Sequence, residues 1–291
     1  MNESAALRAP LDAEALRRDL VGPGTIARLD VVESTGSTNT DLAAAFTTAP
    51  EEWPQISALA TDFQSAGKGR MDRSWQAPER SSLAVSLLFR PTPGGRPATA
   101  ETYAWMSMLC ATALAETLRE CAGVPAELKW PNDVIVSGSK IAGVLANLVP
   151  APGGSAVVVG SGVNVTLSRE ELPVPTATSL LLEGARTVDT TALLGDYLRR
   201  VSRLYHGFLR AGGRAGDAID GDATLLERVA RSMATLGAPI RAELPSGSTL
   251  EGTAVGLEPD GALNVRTADG TTTSIRAGDV VHLRRTDGRY A

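Results

Sequence analysis

The sequence predicts an α+β fold, a mixed and largely antiparallel sheet covered by helices, with a small all-β unit after it. Three observations carry that prediction. Residues 128–165 break into short apolar runs separated by turn residues, which means hairpins and an antiparallel meander. Glu101 to Cys121 is apolar nearly all round, as a buried helix is. From Pro239 onward, short strands alternate with turns at Ser246-Gly247, Pro259-Asp260-Gly261 and Asp269-Gly270.

Taken in order, Asp12 to Val21 reads as a short amphipathic helix with Asp12 as N-cap, closed by Gly22-Pro23-Gly24. A first strand runs from Ile26 to Val32. Little chain precedes it, so an N-terminal helix-turn-helix module, which needs two or three helices, is not expected. Asp41 to Phe46 is rich in helix formers, and Ser37 or Thr38 has the side chain an N-cap requires. Ile56–Thr61 and Ser82–Phe89 have the content of buried strands and flank a basic loop. Beyond the helix at 101–121, the meander strands are Leu128–Trp130, Val134–Val136, Ile141–Val149 and Ala156–Val165, the last two joined by a turn at residues 150–154. Thr191–Leu209, capped by Asp189 or Thr190, and Thr224–Leu236 read as helices. Ile240–Leu244, Leu250–Leu257, Ala262–Thr267 and Thr271–Ile275 then make a small β-barrel. The boundary falls near Leu236, giving units 1–236 and 237–291.

A chain of 291 residues that is 43% apolar has ample material for a core. Its net charge of −5 argues against a general nucleic-acid or membrane-surface binder, so any anion site must be local. No apolar run approaches the length of a membrane span and the N-terminus lacks a signal-peptide pattern, so a cytoplasmic protein is expected. Cys110 and Cys121 lie 11 positions apart in one helix, too far for a disulfide, and are expected as buried thiols. His206 and His282 are the only histidines and neither has another ligand-type residue beside it, so no structural metal and no histidine-activated nucleophile is expected.

Within this acidic chain, Thr61 to Trp75 concentrates Lys68, Arg70, Arg73, Gly67, Gly69 and an aromatic side chain. Glycines let consecutive N–H groups point into one concavity, the cations add charge, and Trp75 offers a face on which a base can stack. A solvated basic hairpin with a core Trp is the plainer reading. Lys129-Trp130-Pro131-Asn132-Asp133 is followed by Lys140-Ile141-Ala142-Gly143-Val144-Leu145. Asn132-Asp133 suits a tight turn, and Lys140 at a strand mouth can reach an anion or simply snorkel. In Gly160-Ser161-Gly162-Val163-Asn164, glycines inside a strand signal either a bulge or close approach of a ligand or another backbone. Two nucleotide fingerprints are excluded. Asp62 stands where a Walker A loop needs its first glycine, and Asp72 and Val165 break the Rossmann spacing after Gly67-Lys68-Gly69 and Gly160-Ser161-Gly162.

Together these segments resemble the biotin protein ligase family, in the family's order along almost the whole chain: Gly36-Ser37-Thr38-Asn39, Gln64 through Trp75, Lys129 through Asp133, Lys140 through Leu145, and Gly160 through Val165. The resemblance implies a class II synthetase-like, biotin–lipoate ligase-like catalytic domain with an SH3-like C-terminal barrel. It looks like the monofunctional branch, which ligates without acting as a repressor. The implied chemistry is activation of biotin by ATP to biotinyl-5′-AMP, then transfer to a lysine of a carrier domain of acetyl-CoA carboxylase, another acyl-CoA carboxylase or pyruvate carboxylase, with no DNA or membrane partner.

By resemblance, Ser37, Thr38 and Gln64 hydrogen-bond the biotin rings, with Asn39 beside them. Lys68, Gly69 and Arg70 hold the biotin carboxylate and the α-phosphate, and Lys140 contacts the same oxygens. Trp75, Asn132 and Asn164 lie on the adenine side, and Arg73 is a further phosphate contact. Mg²⁺ is expected on the ATP phosphates and not on protein ligands. Asp133 orients or deprotonates the acceptor lysine. Two positions depart from the pattern: Lys68 often is Arg, where a bidentate fork becomes a point charge, and Asp72 often is Gly. Both bear on retention of the adenylate. A lipoate or octanoate ligase or transferase on a related scaffold, and a non-enzymatic biotin or nucleotide sensor, are the alternatives.

Overall fold

The computed structural model describes residues 7–71, 73–151, 154–244, 246–277, 280, 282–286 and 290. Asp72, and Pro152 and Gly153 of the expected turn, lie outside the described residues, as does the His282 side chain. Runs of apolar and β-branched residues form strands, and helix formers behind a capping residue form helices. The first half contains α1 (Ala13–Leu20), β1 (Arg28–Val32), α2 (Thr38–Thr48), β2 (Ser57–Thr61), β3 (Gly67–Lys68), β4 (Ser74–Trp75), β5 (Ser82–Phe89) and α3 (Ala100–Thr117). Then come β6 (Ala126–Lys129), β7 (Asp133–Val136), β8 (Ser139–Ala151), β9 (Gly154–Asn164), α4 (Thr190–Arg210), β10 (Ala218–Asp220), β11 (Ala223–Thr224) and α5 (Leu225–Arg231). The last strands are β12 (Pro239–Glu243), β13 (Thr249–Leu257), β14 (Leu263–Arg266), β15 (Thr272–Ile275) and β16 (His282–Arg285).

A seven-stranded sheet in the order β1-β2-β5-β9-β8-β7-β6 organises the larger part. Only β1 and β2 run parallel; every other pair is antiparallel, and β6 through β9 form the expected meander. Side chains alternate between faces along each strand, so the apolar strands feed two cores. Leu87, Phe89, Val157 and Val159 enter the large core with Trp105, Leu109, Tyr197 and Val201 of α3 and α4. Leu88 and Val158 enter a smaller one with Leu42 and Phe46 of α2 and with Trp53. The sheet is therefore covered on both faces, α2 on one and α3 with α4 on the other.

Capping of α1 and α4 follows the sequence. The Asp12 carboxylate accepts from Ala15 N at 2.9 Å, and Asp189 accepts from Thr191 N and Ala192 N. Two helices are shorter than expected. Past Thr117 the α3 helix widens into a π-turn over Leu118–Ala122, ending at Gly123 with φ of 77°. The α5 helix stops at Arg231 because the next backbone groups pair with β6: Leu128 N donates to Ser232 O, and Ala234 N to Leu128 O. Cys110 is fully buried, with burial pushing its thiol up to about 12. Cys121 is only partly buried, because it sits on the solvent side of the π-turn, and both thiols are free.

The C-terminal strands form a five-stranded antiparallel sheet, β15-β14-β13-β12-β16. Four of these strands are legible in the sequence. The fifth, β16, is a short basic segment paired with β12, without the apolar alternation that marks the others. Two indoles tie this sheet to the main body: Trp105 Nε1 donates to Pro259 O at 2.6 Å and Trp130 Nε1 to Gly261 O at 3.2 Å. Among the described residues no helix is long and apolar enough to cross a membrane.

Candidate active site

The site arises where the α2-facing side of the sheet runs out of large side chains. Leu88 pairs with Val158 beneath α2; two residues on, Ser86 faces Gly160, then Ala84 faces Gly162, then Ser82 faces Asn164. Across β9, Leu145 faces Gly160 and Gly143 faces Gly162. Small residues leave a concavity of about 470 Å³ at that end, within the usual range for small-molecule sites.

The register of β9 against both neighbours is unbroken here, so the glycines are not a bulge. They are seats for side chains. A Cβ at Gly160 would collide with the Asn39 amide, and one at Gly162 would stand 2.7 Å from the Trp75 indole. What approaches the glycines closely is therefore a pair of side chains from α2 and β4.

The Ser37 side chain makes no cap bond to α2, contrary to the capping expectation. The donor at that helix start is met by Gln64 instead, whose Oε1 accepts from Thr38 N at 2.8 Å and Thr38 Oγ1 at 3.2 Å. The buried Ser86 hydroxyl lies 2.7 Å from Thr38 Oγ1 and 2.6 Å from Asn39 Oδ1, while Asn39 Nδ2 donates to Leu145 O at 3.0 Å. Ser37, Thr38, Asn39 and Gln64 are thus brought together at one end of the pocket, with the Asn39 amide engaged by protein.

The basic loop closes as the β3–β4 hairpin. The Gly69 N–H, expected in an anion concavity, donates instead to Arg73 O at 2.6 Å. Lys68 and Arg73 are exposed on this flank. Arg70 crosses the site: its guanidinium donates to Asn132 Oδ1 at 3.3 Å and to the carbonyls of Ala277 at 2.5 Å and Val280 at 3.0 Å. Burial lowers its pKa, while the Asp133 charge acts the other way.

The opposite flank is the β6–β7–β8 meander. Asn132 is fixed twice to β8, Nδ2 donating to Val144 O at 2.9 Å and its own carbonyl accepting from Val144 N at 2.8 Å. Lys140 Nζ pairs with Asp133 Oδ1 at 2.6 Å. Asn164 Nδ2 donates to Thr178 O at 2.9 Å from the pocket's far end. All twelve of the residues singled out from the sequence, together with Asp133, line this one cavity.

Four further residues belong to the site. Ser86 had a legible signal, a hydroxyl inside the otherwise apolar run Leu83–Phe89. Lys129, only 5% exposed, stands in the Lys129–Asp133 segment but had no assigned part; burial pushes its pKa down to about 8, against the opposing charge of Asp133. Arg284 and Tyr290 arrive from beyond the fourth C-terminal strand, and nothing local in sequence signals them. The Tyr290 hydroxyl donates to Asp133 Oδ2 at 2.5 Å, and its ring lies 3.2 Å from Lys129 Nζ.

Six cations line the cavity, Lys68, Arg70, Arg73, Lys129, Lys140 and Arg284, against one carboxylate, Asp133. In a chain of net charge −5 that concentration builds a site for an anion or for two anions together. Among the described residues no group of three or more His, Cys, Asp or Glu could hold a metal ion.

Residues 31–164 match the biotin/lipoate A/B protein ligase family, and residues 235–283 match the biotin protein ligase C-terminal domain. A biotin--[acetyl-CoA-carboxylase] ligase of Mycobacterium tuberculosis is 35% identical over 288 residues, covering 98% of this chain and 100% of that one. The chain belongs to the biotin protein ligase family. A bifunctional ligase/repressor of Bacillus subtilis is 27% identical over 260 residues, 88% of this chain and 73% of its own length. Among solved structures, the biotin protein ligase from Aquifex aeolicus in complex with biotin and ATP superimposes with a TM-score of 0.69 at 26% identity, over 89% of this chain and 99% of that one. Biotin protein ligase structure thus extends over both sheets described above.

Proposed function

We propose that the protein is an ATP-dependent ligase that converts biotin to biotinyl-5′-AMP and transfers the biotinyl group to a lysine of a biotin carboxyl carrier domain. The observation that carries this reading is the ring of six cations around a floor of glycine and small residues. Family membership gives the ring its chemistry. The name of the M. tuberculosis relative points to acetyl-CoA carboxylase as the carrier's parent, and other acyl-CoA carboxylases or pyruvate carboxylase are of the same chemical type. A cytoplasmic location would meet the ATP requirement, and no helix among the described residues is long and apolar enough to cross a membrane. Residues 1–236 would form the catalytic domain and residues 237–291 the SH3-like one.

In the first step a carboxylate oxygen attacks the α-phosphorus and the bond to the β-phosphate breaks. Two unit charges about 4 Å apart repel by roughly 4 kcal/mol at an effective dielectric of 20. Lys68 and Arg70 on one flank and Lys140 on the other offset that repulsion. Ser37, Thr38 and Gln64 would meet the ureido ring, with Asn39 and Ser86 as the struts behind them. Trp75, seated on Gly162, and Asn132 and Asn164 would bound the adenine, with Arg73 on a phosphate. Mg²⁺ carried on the ATP phosphates would supply charge neutralisation for the departing pyrophosphate. In the second step the acceptor amine attacks the acyl carbon, the bond to AMP breaks, and Asp133 orients the amine or takes its proton.

Lipoate or octanoate activation would share the cations but has no use for the Ser37-Thr38-Gln64 cluster. A sensor would need no cations on both sides of a phosphate. Acid-dependent exchange of labelled pyrophosphate into ATP separates these readings. Exchange with biotin alone is the expected result; exchange with lipoate or octanoate alone, or with none of the three, would replace it.

A further inference from the structure

Asp133 is held by two groups at once, Lys140 at Oδ1 and the Tyr290 hydroxyl at Oδ2. The proposed first step needs Lys140 at the carboxyl and phosphoryl oxygens. Once it moves there, Oδ1 loses its ammonium partner. Asp133 lies in a wall where its side chain is 13% exposed, with Lys129 from β6 and Arg284 from β16 acting on the same cluster. A carboxylate released on one side would swing toward one of those cations.

We infer that Tyr290 is a positioning residue for the transfer step, holding Asp133 by Oδ2 so that Oδ1, vacated by Lys140, faces the incoming acceptor ammonium. The inference rests on the Asp133 part of the proposed function. Its geometry has two components. The hydroxyl donates the 2.5 Å bond that fixes the carboxylate. The ring covers Lys129 Nζ at 3.2 Å, a cation–π contact that keeps the buried ammonium from competing for Oδ1. Burial and the Asp133 charge both raise the phenol's pKa, so it remains a protonated donor. The consequence is an order of events. Asp133 is neutralised by Lys140 until the first step draws Lys140 onto the carboxyl and phosphoryl oxygens, and only then offers an oxygen to a second ammonium. Transfer then forms the C–N bond of the biotinyl amide and breaks the acyl C–O bond, AMP leaving with its phosphate charge, while the two protons that the ammonium loses in becoming an amide pass in turn through Oδ1 to solvent.

The test uses the full chain as Tyr290→Phe, Asp133→Asn and the double variant. Two reactions are read: pyrophosphate exchange, and single-turnover transfer from preformed biotinyl-5′-AMP to an unmodified biotin carboxyl carrier domain at varied concentration. Tyr290→Phe should lower the maximal transfer rate by about tenfold, the loss of one hydrogen bond to a charged group, with KM for the carrier unchanged. Pyrophosphate exchange should stay within about twofold, because one hydroxyl outside the first step is removed. In the Asp133→Asn background the same change should cost nothing further. Tyr290→Phe transferring at the wild-type rate beside a slow Asp133→Asn would remove Tyr290 alone from the mechanism. Equal losses in both reactions, or losses that add in the double variant, would make its part merely structural. Full transfer by Asp133→Asn would remove both the Asp133 reading and this one.

Discussion

Both flanks of the pocket carry cations, and they are built in opposite ways. On the β6–β8 flank every group is tied: Lys140 to Asp133, Asn132 to Val144 by two bonds, Lys129 buried beneath the Tyr290 ring. On the hairpin flank the ladder is two residue pairs long, Met71 sits at φ of 53° with 45% exposure, and Lys68 and Arg73 face solvent. Few buried contacts mean cheap local rearrangement. One flank therefore supplies fixed geometry, and the other supplies charge that can adjust to the ligand. Arg70, by its anchors on Asn132, Ala277 and Val280, connects the adjustable flank to the fixed one and to the C-terminal sheet.

The largest expected effect tests that division directly. A cation that starts from a fixed partner, as Lys140 does on Asp133, has less freedom to lose on reaching the developing charge than one that faces solvent. Lys140→Ala should reduce biotin-dependent pyrophosphate exchange by roughly a hundredfold to a thousandfold, and Lys68→Ala by roughly tenfold. Steady-state exchange rates at saturating ATP check both. A Lys68→Ala loss as large as that of Lys140→Ala would mean the hairpin is as preorganised as the meander.

The fixed flank should also show its cost in stability. The Lys129 pKa is lowered to about 8 from an ordinary 10.5, so the unfolded chain binds more protons than the folded one between those values, and stability rises with pH across that window. Below about pH 8 the full penalty is present; with 5% exposure it amounts to about 3 kcal/mol in order of magnitude. Lys129→Met should therefore unfold at higher denaturant concentration than wild type at pH 7, with the gap closing by pH 10.5. A constant gap across that range would mean that the ammonium is not what the wall pays to bury.

The legible parts of this fold and site are those encoded by local pattern. Short apolar runs between turn residues placed the meander, Asp12 and Asp189 announced their helices, and the cations of 68–73 and 140 stood out against an acidic chain. What escaped depended on partners remote in sequence. The α5 helix stops early because Ser232 and Ala234 pair with Leu128. Gln64 takes the capping task expected of Ser37 or Thr38 from 26 residues away. Tyr290 and Lys129 meet across the two sheets, and no window of sequence contains both. The Gly160-Ser161-Gly162 segment is intermediate: its pattern called for a bulge or a close approach, and only the fold decides between them and identifies what approaches.

The two glycines of that segment give the finest comparison of the flanks, because they are two residues apart on one strand face and each seats a side chain from a different neighbour. Added at Gly160, a methyl meets an Asn39 amide held at once by Leu145 O and by Ser86, so nothing can give without breaking a buried bond. Added at Gly162, it meets an indole carried on the two-residue strand β4 of the adjustable hairpin. Overpacking a fixed site costs about 1–3 kcal/mol. Gly160→Ala should lower the melting temperature, with biotin binding weakened alongside because Thr38 shares the Ser86 hydroxyl. Gly162→Ala should melt close to wild type, since the ring can lift, but KM for ATP should rise about tenfold, the worth of one displaced stacking contact, while KM for biotin holds. Thermal melts and the two KM values read this in one pair of proteins. If the two variants lost stability equally, Trp75 would have to be as firmly held as Asn39, and the hairpin could not be the flank that yields.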